Sequence, residues 1–171
     1  MKLSKEEIEW LFKILRQVDF LSAYSTGEIK ELIERTRKKT YKPKEAIIQQ
    51  GTAGKYFFVI YKGKVSVTLK KETEERSIAT LSEADYFGEM SLLTGHSCSA
   101  TVAALVTVEA FLLEPDDFRF ILMRNHSLAK SMSMVISQRR TELSEALGGA
   151  VESGDDLLEK IMQYYQLEEN A

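Results

Sequence analysis

The sequence predicts a mainly β domain with flanking α-helices, an antiparallel barrel or roll of the α+β class. Three observations carry that expectation. Short segments rich in Ile, Val, Phe and Tyr crowd residues 46–113 without crossover helices between them. Amphipathic helical spacing brackets this block on both sides, over residues 4–39 and again from Pro115. Finally, 171 residues that are 44% hydrophobic and 29% charged suit one ordinary folded domain. A large multidomain enzyme and a disordered or collagen-like chain are thereby excluded.

The elements follow in order. In residues 4–18, Ile8, Leu11, Phe12, Leu15 and Val18 recur at helical spacing, and Glu6, Glu7 and Glu9 occupy the first turn, where they oppose the helix dipole. A second helix starts at Ser25, which has capping-box spacing to Glu28, and Ile29, Leu32 and Ile33 supply its apolar face. The basic run Arg35, Thr36, Arg37, Lys38, Lys39 reads as the solvated end of that helix. After Pro43 the pattern changes to strands over 46–49, 56–61, 64–69, 76–81 and 100–113. Val65, Val67 and Leu69 alternate with Ser66, Thr68 and Lys70, the period of a half-buried strand. Lys62-Gly63 is a hairpin turn, and the polar residues 70–75 form an exposed hairpin tip. Pro115 restores helix at a first-turn position, backed by Asp116 and Asp117, with Phe118, Ile121 and Leu122 on one side. A longer helix over 128–147 carries the stripe Met132, Val135, Ile136, Leu143 and Leu147 and stops at Gly148-Gly149. The predicted organisation is one domain over 1–147 and an acidic tail over 148–171, in which 155–167 has the pattern of a short helix.

Charge and cysteine usage narrow the function classes. The single cysteine, Cys98, forms no intrachain disulfide, which suits a cytoplasmic setting. The N-terminus is too acidic for a signal peptide, and the longest apolar stretch, 103–113, is interrupted by Glu109, so no segment is expected to cross a membrane. Formal charge is −3, split unevenly: from Glu142 onward eight acids face one base, Lys160, giving −7 there and +4 before it. That end of the chain repels DNA.

The most unusual stretch runs from Tyr86 to Val102, a short helical pattern framed by Gly88 and Gly95 inside the β region. Gly88 permits close approach of the backbone to a ligand, and N–H groups at the start of a one-turn helix attract an anion without a charged side chain. Glu89 beside such a turn repels phosphate unless its carboxylate binds hydroxyls, so the pair together favours a sugar phosphate. The plain alternative is that Glu89 opposes a helix dipole and Gly88 makes a turn.

Residues 86–102 resemble the phosphate-binding cassette of cyclic nucleotide-binding domains, of the catabolite activator and protein kinase A regulatory subunit type. Phe87-Gly88-Glu89 opens the cassette, Gly51, Gly63, Gly88 and Gly95 fall where the family places turn glycines, and 47–51 and 56–65 look like its early strands. The resemblance covers about residues 18–145. It implies a jelly-roll (double-stranded β-helix) of eight strands with N-terminal helices and a long C-terminal helix. It also implies site roles: Glu89 accepts the ribose 2′-hydroxyl, the N–H groups of Gly88, Met90 and Ser91 line the sugar phosphate, and Ser99 with Ala100 closes over the phosphate, next to Thr101. The ligand so implied is cAMP or cGMP, with no resident cofactor and no metal.

Two positions depart from the family's cassette, making it degenerate: an arginine ordinarily pairs with the cyclic phosphate just before the position of Ser99, where this chain has Cys98, and Ser97 stands where proline is common. A charge-assisted hydrogen bond contributes ~1.5–3 kcal/mol, so its absence weakens a cyclic monophosphate by roughly ten- to more than a hundredfold. Three readings stay open: a nucleotide sensor compensated from elsewhere, by Arg139 or Arg140 for instance; a fold kept for association after ligand loss; and a sensor of another small anion. The first is favoured.

Catalysis is not expected. Cys98 lies two residues from His96, but His96 and His126 are the only histidines, too few for a multi-histidine metal site, and no third group orients the imidazole. The 24 residues after Leu147 carry one base, which does not make a DNA-reading unit, so no DNA-binding domain is expected. Output is expected through a protein partner, with a homodimer through the Met-bearing stripe of 128–147 as one form and packing on the chain's own barrel as the other use of that stripe.

Overall fold

The computed structural model describes residues 2–18, 21, 24–88 and 97–114 and, further on, Asp116, Asp117, Met123, Arg124, Ser127, Lys130 and Met134. The chain divides into two compact units: Met1–Leu3 with Arg35–Pro115, and Ser4–Glu34 with Asp116–Ala171.

The second unit is helical where described. Helix α1 (Lys5–Gln17) is fixed at its start by a capping box, the Ser4 hydroxyl accepting the Glu7 N–H at 3.2 Å and the Glu7 carboxylate accepting the Ser4 N–H at 2.8 Å. Leu11, Ile14 and Leu15 are buried, whereas Ile8 is 39% exposed, so the apolar face is centred closer to Ile14 than the sequence stripe implies. Helix α2 (Thr26–Arg35) repeats the device with Ser25 and Glu28, at 3.2 and 2.9 Å, and buries the expected Ile29, Leu32 and Ile33. The described residues from Asp116 to Met134 are helical, and Arg124 pairs with Glu31 at 3.1 Å. Pro115, the remainder of 128–147 and the tail 148–171 lie outside the described residues.

The first unit holds the β-roll. Its strands are β1 (Arg37–Tyr41), β2 (Ala46–Ile48), β3 (Phe57–Lys62), β4 (Lys64–Lys71), β5 (Glu74–Ser82), β6 (Tyr86–Phe87), β7 (Thr101–Ala104) and β8 (Val108–Leu113). They form two antiparallel four-stranded sheets of order β1-β8-β3-β6 and β2-β7-β4-β5. The inner faces share one core, in which Phe58, Ile60, Phe87, Val102, Ala110 and Leu112 are buried. Fully burying an Ile, Leu or Phe side chain contributes ~1.5–3 kcal/mol, so this cluster dominates the stability of the roll. Strands β3 and β8 are buried on both faces, Phe57 and Phe111 as fully as Phe58 and Ala110, which explains why they read as continuous apolar runs and not as alternations.

Two segments correct the sequence reading. The basic run after α2 is not a helix end: Arg37–Tyr41 is β1, paired with β8 in the register Arg37↔Leu112 to Tyr41↔Val108. Tyr41 joins the core, and the Lys38 ammonium meets Glu109 on the neighbouring strand at 3.2 Å. The partner carboxylate is 71 residues away in sequence, so no local pattern announces it. The apolar stretch 100–113 is two strands, β7 and β8, separated at Leu105, Val106 and Thr107.

The predicted turn at Gly63 is present, at φ +100°. A Cβ there would lie 2.5 Å from the Thr107 carbonyl oxygen and 3.0 Å from Val108, so only glycine fits between β3 and β4. The β4–β5 hairpin turns at Glu72 and Thr73, within the expected polar tip.

Candidate functional site

The site is built at the two ends of the segment between β6 and β7. At the entrance, β6 pairs with β3 (Phe58↔Phe87, Val59↔Tyr86), and the Phe87 ring stacks on Phe58 with centroids 4.8 Å apart and planes 10° apart. This anchors the chain just before Gly88, which holds φ +90°. A Cβ on Gly88 would stand 2.5 Å from the Tyr56 carbonyl oxygen, 3.1 Å from Phe58 and 3.5 Å from Ile48. The close approach that glycine permits here is thus to the chain's own backbone at Tyr56.

At the exit, the loop between β2 and β3 clamps Cys98. The Gly51 N–H donates to the Cys98 carbonyl at 2.8 Å, the Cys98 N–H donates to the Thr52 carbonyl at 2.7 Å, and Ala53 bridges Ser97 antiparallel. Cys98 is 6% exposed, Ser99 is exposed, and Ala100 and Thr101 are half-buried. The Thr101 hydroxyl accepts the Gln50 N–H at 3.0 Å. Gln50 in turn copies a ladder rung with its side chain, its amide donating to the Lys70 carbonyl at 2.8 Å and accepting the Lys70 N–H at 2.8 Å. Ile48 pairs with Val102, next to Thr101. Both ends of the segment therefore rest on the chain between Ile48 and Tyr56.

Of the residues nominated from sequence, the structure places Gly88, Cys98, Ser99, Ala100 and Thr101 on this frame. Glu89, Met90 and Ser91, with Gly95 and His96, lie outside the described residues. The clamp residues Gln50 and Thr52 were missed. Their signal was the polar stretch Gln49-Gln50-Gly51-Thr52 inside an otherwise apolar strand region, but its partners, Lys70, Cys98 and Thr101, are remote in sequence. Among the described residues no group of three or more His, Cys, Asp or Glu side chains is arranged to hold a metal ion. No helix among them is long and apolar enough to cross a membrane.

Within the roll, burial pushes the Tyr41 phenol up to about 12 from its ordinary 10.0, with Glu45 and Tyr56 adding to the shift. Lys38 and Lys62 share Glu109, at 3.2 and 3.8 Å, and both ammonium groups flank the Tyr61 ring, at 5.9 and 5.1 Å from its centroid.

Two sheets around one core, interrupted between β6 and β7 by a glycine-opened segment whose ends are clamped by the β2–β3 loop, define an antiparallel β-roll. The chain belongs to the cyclic nucleotide-binding domain family, whose model matches residues 38–125. It is 33% identical over 108 residues to a cAMP-dependent protein kinase regulatory subunit of Yarrowia lipolytica, an alignment covering 63% of this chain and 28% of that protein. It is 35% identical over 121 residues to cGMP-dependent protein kinase, isozyme 1, of Drosophila melanogaster, covering 68% and 16%. The chain thus spans less than a third of the length of either relative. The fold is similar to that of the regulatory domain of Toxoplasma gondii protein kinase A solved with cAMP, with TM-score 0.68 and 21% identity, over 85% of this chain and 52% of that one.

Proposed function

We propose that this chain is a non-catalytic regulatory module that binds a cyclic nucleotide, cAMP or cGMP, within residues 88–101 and passes the signal to a protein partner in the cytoplasm. The observation that carries the reading is the family match over residues 38–125, which spans the whole cassette. Two of the relatives are named for cAMP- and cGMP-dependent kinases, which supports either nucleotide. In this reading the N–H groups of Gly88, Met90 and Ser91 hold the sugar phosphate, Glu89 takes the ribose hydroxyl, and Cys98, Ser99, Ala100 and Thr101 form the wall over the phosphate. The clamp on Cys98 fixes the direction of that wall before ligand arrives, which lowers the ordering cost of binding.

A second reading is favoured by the same wall. Cys98 brings a buried thiol in place of a guanidinium, and the Thr101 hydroxyl already serves Gln50, features of a roll kept as an interaction scaffold. Calorimetry with cAMP and cGMP on wild type, Cys98→Arg and Glu89→Ala separates the two. Weak binding by wild type that is lost in Glu89→Ala and gains at least ~tenfold in Cys98→Arg supports the sensor. No heat at millimolar nucleotide for wild type, with tight binding by Cys98→Arg, assigns the scaffold.

A further inference from the structure

At the opposite end of β7 from Thr101, three turns come together. The Lys44 N–H donates to the Ala104 carbonyl at 2.7 Å, the Ala104 N–H to the Glu45 carbonyl at 2.9 Å, and the Leu105 N–H to the Lys64 carbonyl at 2.9 Å. The absent Cβ of Gly63 leaves room for the Thr107 carbonyl, 2.5 Å from where it would stand. The loop 105–107 is thus flanked by the turn 42–45 on one side and the turn 62–64 on the other. At its tip Leu105 is 50% exposed and Val106 is 47% exposed. Lys42, Lys44, Lys62 and Lys64, all exposed, lie on the two turns that flank this pair.

The acids nearby offset the lysines only in part. The Glu45 carboxylate accepts the Lys42 N–H at 2.8 Å, Glu109 lies 3.8 Å from Lys62 and pairs more closely with Lys38, and Glu83 is exposed. Single exposed aliphatic residues need no explanation, but an adjacent pair flanked by two turns that carry four exposed lysines is a surface without a job in the roll itself.

The same sequence contains the complement. In Asp155-Asp156-Leu157-Leu158-Glu159 an adjacent aliphatic pair is flanked in sequence by acids, Lys160 comes next, and Glu168 and Glu169 follow. We propose that segment 152–169 of a second copy docks on the Leu105–Val106 surface, its leucines covering the aliphatic pair and its carboxylates meeting Lys42, Lys44, Lys62 and Lys64. Each copy carries one surface and one segment, so mutual exchange closes a two-fold dimer, and the first contact raises the effective concentration for the second. An anionic bilayer is the poorer occupant, because it attracts the lysines but repels the −7 carried from Glu142 onward. The surface lies a strand's length from Thr101, about 10 Å, so it stays open with or without ligand at the cassette, and the inference does not rest on nucleotide binding.

The test is sedimentation equilibrium of the full chain up to about 100 μM, in roughly 50 and 500 mM salt, where screening differs strongly. Wild type is expected to dimerise and to weaken with salt. The double variants Lys42→Glu/Lys64→Glu, Asp155→Lys/Asp156→Lys and Leu105→Ser/Val106→Ser are each expected to weaken the dimer by ~tenfold or more. An equimolar mixture of the two charge variants is expected to form a heterodimer more readily than either variant alone, since one of its contacts then pairs the unchanged lysines of one copy with the unchanged acids of the other, while unaltered circular dichroism of each variant shows that both are folded. A wild type that stays monomeric at low salt overturns the proposal. So does a dimer indifferent to both reversals, or a chain that remains monomeric while binding vesicles of about 30% phosphatidylserine.

Discussion

At the scale of single residues, backbone crowding and burial decide most outcomes. Gly63 combines φ +100° with a Thr107 carbonyl 2.5 Å from the missing Cβ. Gly63→Ala is expected to destabilise the roll by at least ~2 kcal/mol, read as a lower urea midpoint at unchanged m. Tyr41 makes a pH prediction. Its phenol is held near 12 in the folded chain against 10.0 when exposed, chiefly by burial, so the folded state binds that proton more tightly. The associated stability is complete below about pH 10 and is lost as pH rises through about 12. Tyr41→Phe is expected to lose stability less steeply than wild type between those limits and in parallel with it below them, a comparison made by urea denaturation across pH 9–12. Tyr24 differs: its buried hydroxyl has no hydrogen-bond partner among the described residues, and burial, then Glu28, raises its pKa while Arg124 opposes. Of these residues only Gly63 was legible as a turn, because glycine signals its own backbone, whereas the environment of a tyrosine is set by remote chain.

At the scale of elements, both N-terminal helices were legible because their signals are local. Ser4 with Glu7 and Ser25 with Glu28 bond within one turn, and the apolar spacing of Ile29, Leu32 and Ile33 marks a buried face directly. Strand β1 was not legible: Lys38 and Lys39 look solvated until β8 supplies Glu109 and Tyr41 brings its ring beneath Lys39, 4.6 Å from the ammonium. The β2–β3 loop has the same character, since Gln50 serves as a rung only because β4 brings Lys70 beside it. Gln50→Ala is expected to cost ~1 kcal/mol and to speed amide exchange at both Lys70 and Cys98, because the loop that bears Gln50 also holds Cys98. Exchange that rises at Lys70 alone would show that the clamp does not depend on the rung.

At the scale of the whole molecule, a ligand that binds the native chain and not the unfolded one raises its stability by mass action. A cyclic nucleotide at a hundred times its dissociation constant is expected to add ~2.7 kcal/mol, a rise of about 5–10 °C in Tm for a chain of this size. Thermal shift with cAMP, cGMP and the corresponding non-cyclic monophosphates checks this, and an equal shift with all of them would point to a general anion site. The sequence by itself determined the two N-terminal helices, the strand segments after Pro43, the turn at Gly63, and a family resemblance carried by Phe87-Gly88-Glu89 and the turn glycines. These are features of spacing and of residue types whose conformational preferences act within a few positions. Only the tertiary structure decided that Lys38 belongs to a strand, that Gly88 leans on Tyr56, that Gly51 and Thr52 brace Cys98, and that Gln50 bonds Thr101. Each depends on a hydrogen bond or close contact between residues about 30 or more positions apart, and such pairings exist only once the two sheets have closed around their shared core.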